Sequence, residues 1–190
     1  MSRLPLQTRE AVIAEVPDAF ERQDRDGQGA LFDIHRVLMN VPNLFKYHMQ
    51  FALELRHGTQ LDAKLRELAI LTVATTTNAR YELDHHWVLA LRAGVTKEQL
   101  EALGDYMTST AFDARERAVM RFVETSTRDI VVPDDVFTDA HRHLGDRQLT
   151  ELLYQIGMYN MVARFEAAAQ LKTEDWFDRE KGILSAPATE

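Results

Sequence analysis

The segment LDAKLRELAILTVATTT (Leu61–Thr77) constrains the fold more than any other part of the chain. It has no internal glycine or proline, and Asp62 offers a side-chain oxygen to cap a helix that follows it. Leu65, Leu68, Ala69 and Val73, with their neighbours, make most of the helix surface apolar. Such a helix cannot lie with one side in water, so it is expected at the centre of a bundle of other helices.

The flanking sequence supplies those helices. Pro42 suits the first turn of a helix running to His57, and Gly58 would stop it. Leu44, Phe45, His48, Phe51, Ala52 and Leu55 recur at three- and four-residue spacing, which predicts one apolar face. A short helix is expected from Leu31 to Met39, and Gln23–Ala30 reads as a polar loop after a short N-terminal helix. Thr75, Thr76 and Thr77 mark the end of the central helix, and Asn78 is expected to cap the next one, which runs to Ala93 before Gly94. Thr96 with Gln99, and Asp113 with Glu116, have capping-box spacing for two further helices, ending near Gly104 and Arg128. A helix from Pro133 to Gly145 and a long one capped by Asp146, over about Arg147–Leu171, complete the series. Ile130–Val132 is too short a β-prone run to build a sheet. The fold class is therefore all-α, a bundle of seven to nine helices in a single domain. It comprises an N-terminal extension (1–30), a helical core (31–171) and a tail (172–190) whose last residues, SAPATE, are expected to be mobile.

Charge and composition exclude several roles. The net charge is −8, from 30 acidic and 22 basic side chains, which disfavours nucleic acid as a partner. No apolar run is long enough to span a bilayer, and the N-terminal MSRLPLQTRE does not read as a secretory signal, so a cytoplasmic location is expected. There is no cysteine, which removes disulfides, zinc–thiolate sites and any thiol nucleophile.

Polar groups embedded in apolar helices are the candidates for chemistry. Glu67 lies among leucines and alanines; Glu82 and His86 are four apart on the next helix, with Tyr81 beside them. Buried carboxylates are costly unless paired, so these groups are expected to meet. A Glu–His pair of this spacing can bond through one imidazole nitrogen and aim the other into a pocket for proton transfer. Its competing reading is an ordinary pair on a helix surface. Asn160 and Arg164, four apart in LLYQIGMYNMVARF, read as a structural network or subunit contact, and alternatively as an anchor for a substrate carboxylate. His48 reads as a core or pocket histidine. With Glu82 and His86 it could also supply a zinc or iron site, the metal-dependent alternative. His85 and Asp84 should point away from His86, and His141 and His143 read as surface residues.

Leu61–Leu103 resembles the core of the carboxymuconolactone decarboxylase and alkylhydroperoxidase D-like superfamily. The resemblance is carried by the order of Lys-Leu-Arg-Glu-Leu, a break, a polar helix start, a histidine and Ala-Gly-Val, and it extends more weakly over Leu31–Leu171. In peroxidase members the motif is Cys-x-x-Cys with a histidine four residues on and a glutamate twelve residues before the first cysteine. The resemblance then places the glutamate on Glu67 and the histidine on His86, with Ala79 and Glu82 in the cysteine positions and Tyr81 at a relay position. It implies an alkylhydroperoxidase D-like bundle that forms trimers or hexamers. It also implies a small-molecule substrate and, without sulfur, no thiol peroxidase chemistry. The expectation is a lyase or isomerase that needs no cofactor or metal and acts on a small carboxylated or lactone substrate. His86, Glu82 and Glu67 would handle the proton, and Tyr81, Asn160, Arg164 and His48 would bind substrate. The alternative from another class is a non-enzymatic helical oligomer that binds a small ligand.

Overall fold

The structure, a computed structural model, describes residues 2–25 and 31–180, the side chain of residue 23 excepted. Among these residues there are nine α-helices and no β-strand: α1 (Arg9–Glu15), α2 (Glu21–Arg25), α3 (Asp33–Leu38), α4 (Pro42–His57), α5 (Ala63–Thr77), α6 (Arg80–Arg92), α7 (Lys97–Glu101), α8 (Ala114–Asp129) and α9 (Asp134–Ala169). A 3-10 turn, Leu103–Asp105, follows α7. The described residues are thus all-α. Among the described residues no helix is long and apolar enough to cross a membrane.

The chain forms two compact units, Thr59–Phe165 and Met1–Gly58 with Glu166–Glu190. In the first, α5 is the central helix and packs against both α6 and α8. Every residue from Glu67 to Ala74 is buried, as expected for a helix apolar on nearly all sides. On one side Leu65, Ala69 and Val73 meet Val119, Phe122 and Val123 of α8 and Leu149, Leu152 and Ile156 of α9. On another, Leu68 and Leu71 meet Ala90 of α6, Met120 of α8 and the 95–112 segment. Burying such side chains stabilises the fold by roughly 1.5–3 kcal/mol each, before the entropy of ordering them is set against it.

The helix ends follow local chemistry. The Asp62 carboxylate accepts from the backbone N–H groups of Lys64 and Leu65, and capping boxes form at Thr96/Gln99 and Asp113/Glu116. Thr75, Thr76 and Thr77 donate their hydroxyls to carbonyls four residues back in the last turns of α5. Asn78 does not cap α6. It takes the left-handed conformation (φ 55°, ψ 32°) and closes the C-terminus of α5, a place that asparagine tolerates better than most residues; Ala79 stands before α6. Within α9, Gly145 has φ 68° and ψ 179°, so two helices meet there, the division expected between Gly145 and Asp146.

In the other unit, Phe45 and Met49 of α4 pack with Val12, Phe20 and Met39. The expected single apolar face of α4 splits: Phe45 and Leu55 are buried, whereas Leu44 is 67% and Phe51 39% exposed. Pro42, Phe45, Met49 and Leu53 form the buried stripe, and apolar residues on two sides of the helix hid this from its spacing. The N-terminal segment holds two helices rather than one. The expected loop at Gln23–Ala30 is helical up to Arg25, and its remainder, like SAPATE, lies outside the described residues. Phe32 stacks on Trp176 at 5.7 Å, and the Asp33 N–H donates to Glu174 at 2.6 Å, fastening the start of α3.

Candidate active site

The site is built by α5 and α6. Glu67 is presented from the second turn of α5 and Glu82 from the first turn of α6, with His86 one turn further along. The His86 Nδ1 lies 2.6 Å from Glu67 Oε2, and its Nε2 lies 2.8 Å from Glu82 Oε1. All three residues are buried, between 2% and 6% exposed. The imidazole therefore bridges two carboxylates, one on its own helix and one from the neighbouring helix. Arg66 Nε lies 3.7 Å from Glu67 Oε1, on the side away from the imidazole contact.

This arrangement sets the charge on His86. Burial alone pulls an imidazole toward its neutral form. The charges of Glu67 and Glu82, and their hydrogen bonds to the ring, pull the other way and prevail, raising its pKa from 6.5 to about 9. At neutral pH the ring is thus an imidazolium that donates an N–H to each carboxylate. The expectation that one nitrogen would face a pocket is corrected here: Glu67 takes Nδ1 while Glu82 holds Nε2. Two clefts of about 310 and 330 Å³ are lined by other residues, one by Arg22, Gln50 and Glu54 and one by Lys64, Gln99 and Glu116.

A residue that escaped the sequence reading completes the surroundings. Tyr159 of α9 meets the His86 ring edge to face, with centroids 5.1 Å apart and planes at 87°. It is half-buried and packs against the α5–α8–α9 aliphatic cluster. Its only signal in sequence was its position beside Asn160 in an apolar helix, which does not reveal what a given face will meet.

The remaining candidates are placed elsewhere. Tyr81 is buried, with its ring 4.3 Å from that of His85, whose Nδ1 is 2.8 Å from the Tyr81 carbonyl. Asp84 pairs with Arg80 at 3.2 Å, so Asp84 and His85 do point away from His86, although both are buried rather than on the surface. Asn160 donates to Thr127 Oγ1 at 3.0 Å, tying α9 to α8, and Arg164 donates to the Asn160 carbonyl and side chain at 2.8 and 2.9 Å. Arg164 is exposed, and these bonds link the two side chains to each other and to α8. His48 is half-buried on α4, in the other compact unit. His141 is half-exposed and sits 2.7 Å from Asp146.

On the metal-dependent alternative, among the described residues no group of three or more histidine, aspartate or glutamate side chains is arranged to hold a metal ion. At His86 both nitrogens face carboxylates, so a metal there would have to displace one of them.

Comparison with known proteins agrees with this architecture. Residues 42–125 match the carboxymuconolactone decarboxylase family. The chain is 26% identical over 120 residues to the uncharacterised protein YnjA of Escherichia coli K12, covering 63% of this chain and 66% of that relative. Its fold is similar to that of the debrominase Bmp8, solved as a variant with 2,3,4-tribromopyrrole (TM-score 0.77, 17% identity, 92% of this chain and 95% of that one). It is also similar to an uncharacterised peroxidase-related protein from Ralstonia eutropha JMP134 described as an alkylhydroperoxidase AhpD core (TM-score 0.77, 16% identity, 92% and 93%). At these identities the structural likeness speaks for the fold alone. Residues 42–125 thus match the carboxymuconolactone decarboxylase family, over less than half of a chain that has an alkylhydroperoxidase D-like fold and no cysteine.

Proposed function

We propose that this protein is a cofactor-free lyase or isomerase whose Glu67–His86–Glu82 triad moves a proton on a small carboxylated or lactone substrate. The observation that carries the reading is the buried imidazole held at 2.6 and 2.8 Å between two carboxylates from neighbouring helices. Glu82 stands where the superfamily resemblance puts the second cysteine, so it is the group offered to substrate. It accepts a proton from carbon acidified by an adjacent carbonyl. His86 balances the charge as Glu82 changes protonation state, and Glu67 fixes the ring from the far side. In a decarboxylation the same relay delivers a proton to the carbanion left as carbon dioxide departs. In an isomerisation it returns the proton at a second carbon. The small ring compound bound by the debrominase of similar fold favours a compact ring as substrate.

The test is turnover of muconolactones and related small lactone acids, followed by ultraviolet absorbance and carbon dioxide release. Glu82→Gln and His86→Gln should each lower turnover by about 10²–10⁴-fold. Unchanged turnover in either variant overturns the assignment.

The occupancy of both imidazole nitrogens favours a second reading, a non-enzymatic protein in which the triad is only a pin between α5 and α6. Binding of the same compounds without their conversion would select it. Both readings take a homo-oligomer, trimer or hexamer, as the resemblance implies. Exposed Leu153, Tyr154 and Met161 on α9 provide apolar surface for it, and light scattering of the purified protein checks it.

A further inference from the structure

Two hydrogen bonds hold the His86 ring at Nδ1 and Nε2, and with the Cβ tether they set its plane. Against this plane α9 sets an aromatic ring, which resists excursions of the imidazole. The Tyr159 ring stands at 87° to the imidazole with centroids 5.1 Å apart, a geometry favoured by the aromatic quadrupole. Tyr159 is also half-buried, whereas His86 and the two carboxylates are almost wholly enclosed. It therefore joins the triad to the accessible surface. We propose that Tyr159 is the positioning residue and aromatic gate of the triad, holding the His86 ring against excursions from the plane set by its hydrogen bonds and governing how water and substrate reach it. The proposal rests on the proton-handling reading of the triad and adds how that site is regulated. The charged groups around the ring are Glu67, with Arg66 behind it, from α5, and Glu82 from α6; α9 contributes the uncharged phenol ring.

Nitrogen-15 NMR of the imidazole in the full chain tests this without any substrate. The wild type and Tyr159→Phe should show the same two slowly exchanging ring N–H signals and the same titration midpoint. Tyr159→Met keeps an apolar side chain but loses the ring. It should speed N–H exchange by about ten-fold or more and move the midpoint about one unit down, toward that of a hydrated histidine. Leu152→Ala, in the aliphatic cluster against which Tyr159 packs, should lower the melting temperature and leave both quantities in place. The proposal is overturned if Tyr159→Met exchanges and titrates like the wild type, or if Leu152→Ala moves both quantities as far. In the unaltered protein the Tyr159 ring protons should also show nuclear Overhauser contacts to the His86 ring; their absence overturns the proposal even if Tyr159→Met does not fold. A wild-type His86 titrating near 6.5 would instead mean that the triad reading itself had failed, which keeps the two failures distinct.

Discussion

Glu67, on α5, accepts a hydrogen bond from Nδ1 of His86, nineteen residues later on α6, at 2.6 Å inside the protein. This one contact joins the central helix to its neighbour. Because Glu82 occupies the other nitrogen at 2.8 Å, it also turns an ordinary Glu–His pair into a three-membered chain of proton donors and acceptors. The consequences for stability and chemistry can be separated experimentally.

Removing the imidazole leaves two buried carboxylates facing one another without a cation between them. His86→Ala should therefore destabilise the protein by about 3–5 kcal/mol at pH 7.5, well beyond the loss of packing alone. Part of that loss should be recovered near pH 5, where a carboxyl can take up a proton. Urea denaturation at the two pH values measures both effects, and an equal deficit at each would argue against paired buried charges.

The raised pKa of His86 has a definite sign in stability. Unfolding returns the group from about 9 to its ordinary 6.5. The contribution of the pair is thus complete below pH 6.5 and fades as the pH climbs to about 9, by an amount on the order of 3 kcal/mol. Denaturation midpoints at pH 6.5 and 9.5 should fall in the wild type and fall less in Glu82→Gln, where one of the two charges that raise the pKa is gone. Equal slopes in the two proteins would contradict the account.

Ala79 precedes the first turn of α6, and Glu82 lies within it beside His86. A thiol at position 82 would have an imidazolium at hand and a helix N-terminus beneath it, both of which favour thiolate. The double variant Ala79→Cys, Glu82→Cys should consume an organic hydroperoxide when a dithiol reductant is supplied, whereas the parent should not. Inactivity in a folded double variant, with its thiols titrating as ordinary ones, would show that Glu82 does not stand in the place of the second cysteine.

At Gly145 the backbone has φ 68° and ψ 179°, a region reserved for glycine. Open space surrounds the position, so the penalty of a side chain would come from the backbone and not from a clash. Gly145→Ala should cost about 1–3 kcal/mol by thermal denaturation. A neutral result would mean that the two halves of α9 can meet in another conformation.

Much of this could be read in the sequence. The central position of α5 followed from its unbroken apolar surface. The ends of α4, α5, α7 and α8 followed from Pro42, Asp62, Thr96 and Asp113, because capping is local chemistry. Glu67, Glu82 and His86 were legible as buried charges needing partners. Which nitrogen met which carboxylate was not, since that depends on how α5 and α6 cross. Tyr159 was invisible for the same reason: helical periodicity tells which residues share a face, and the helix opposite that face is set by tertiary packing. Asn78 misled because asparagine serves both ends of a helix, and only its positive φ decides which. His48 and Arg164 were grouped with the site by residue type, yet one lies in the other compact unit and the other is held by Asn160 on its own helix.

The most direct measurement is the protonation of His86 in the wild-type protein, by nitrogen-15 NMR of the imidazole across pH 5–11. An imidazolium is expected at pH 7.5, with both ring nitrogens protonated and hydrogen-bonded, titrating at about 9. A neutral ring at pH 7.5 that titrates near 6.5 would contradict this, because the ring could then donate to only one of the two carboxylates.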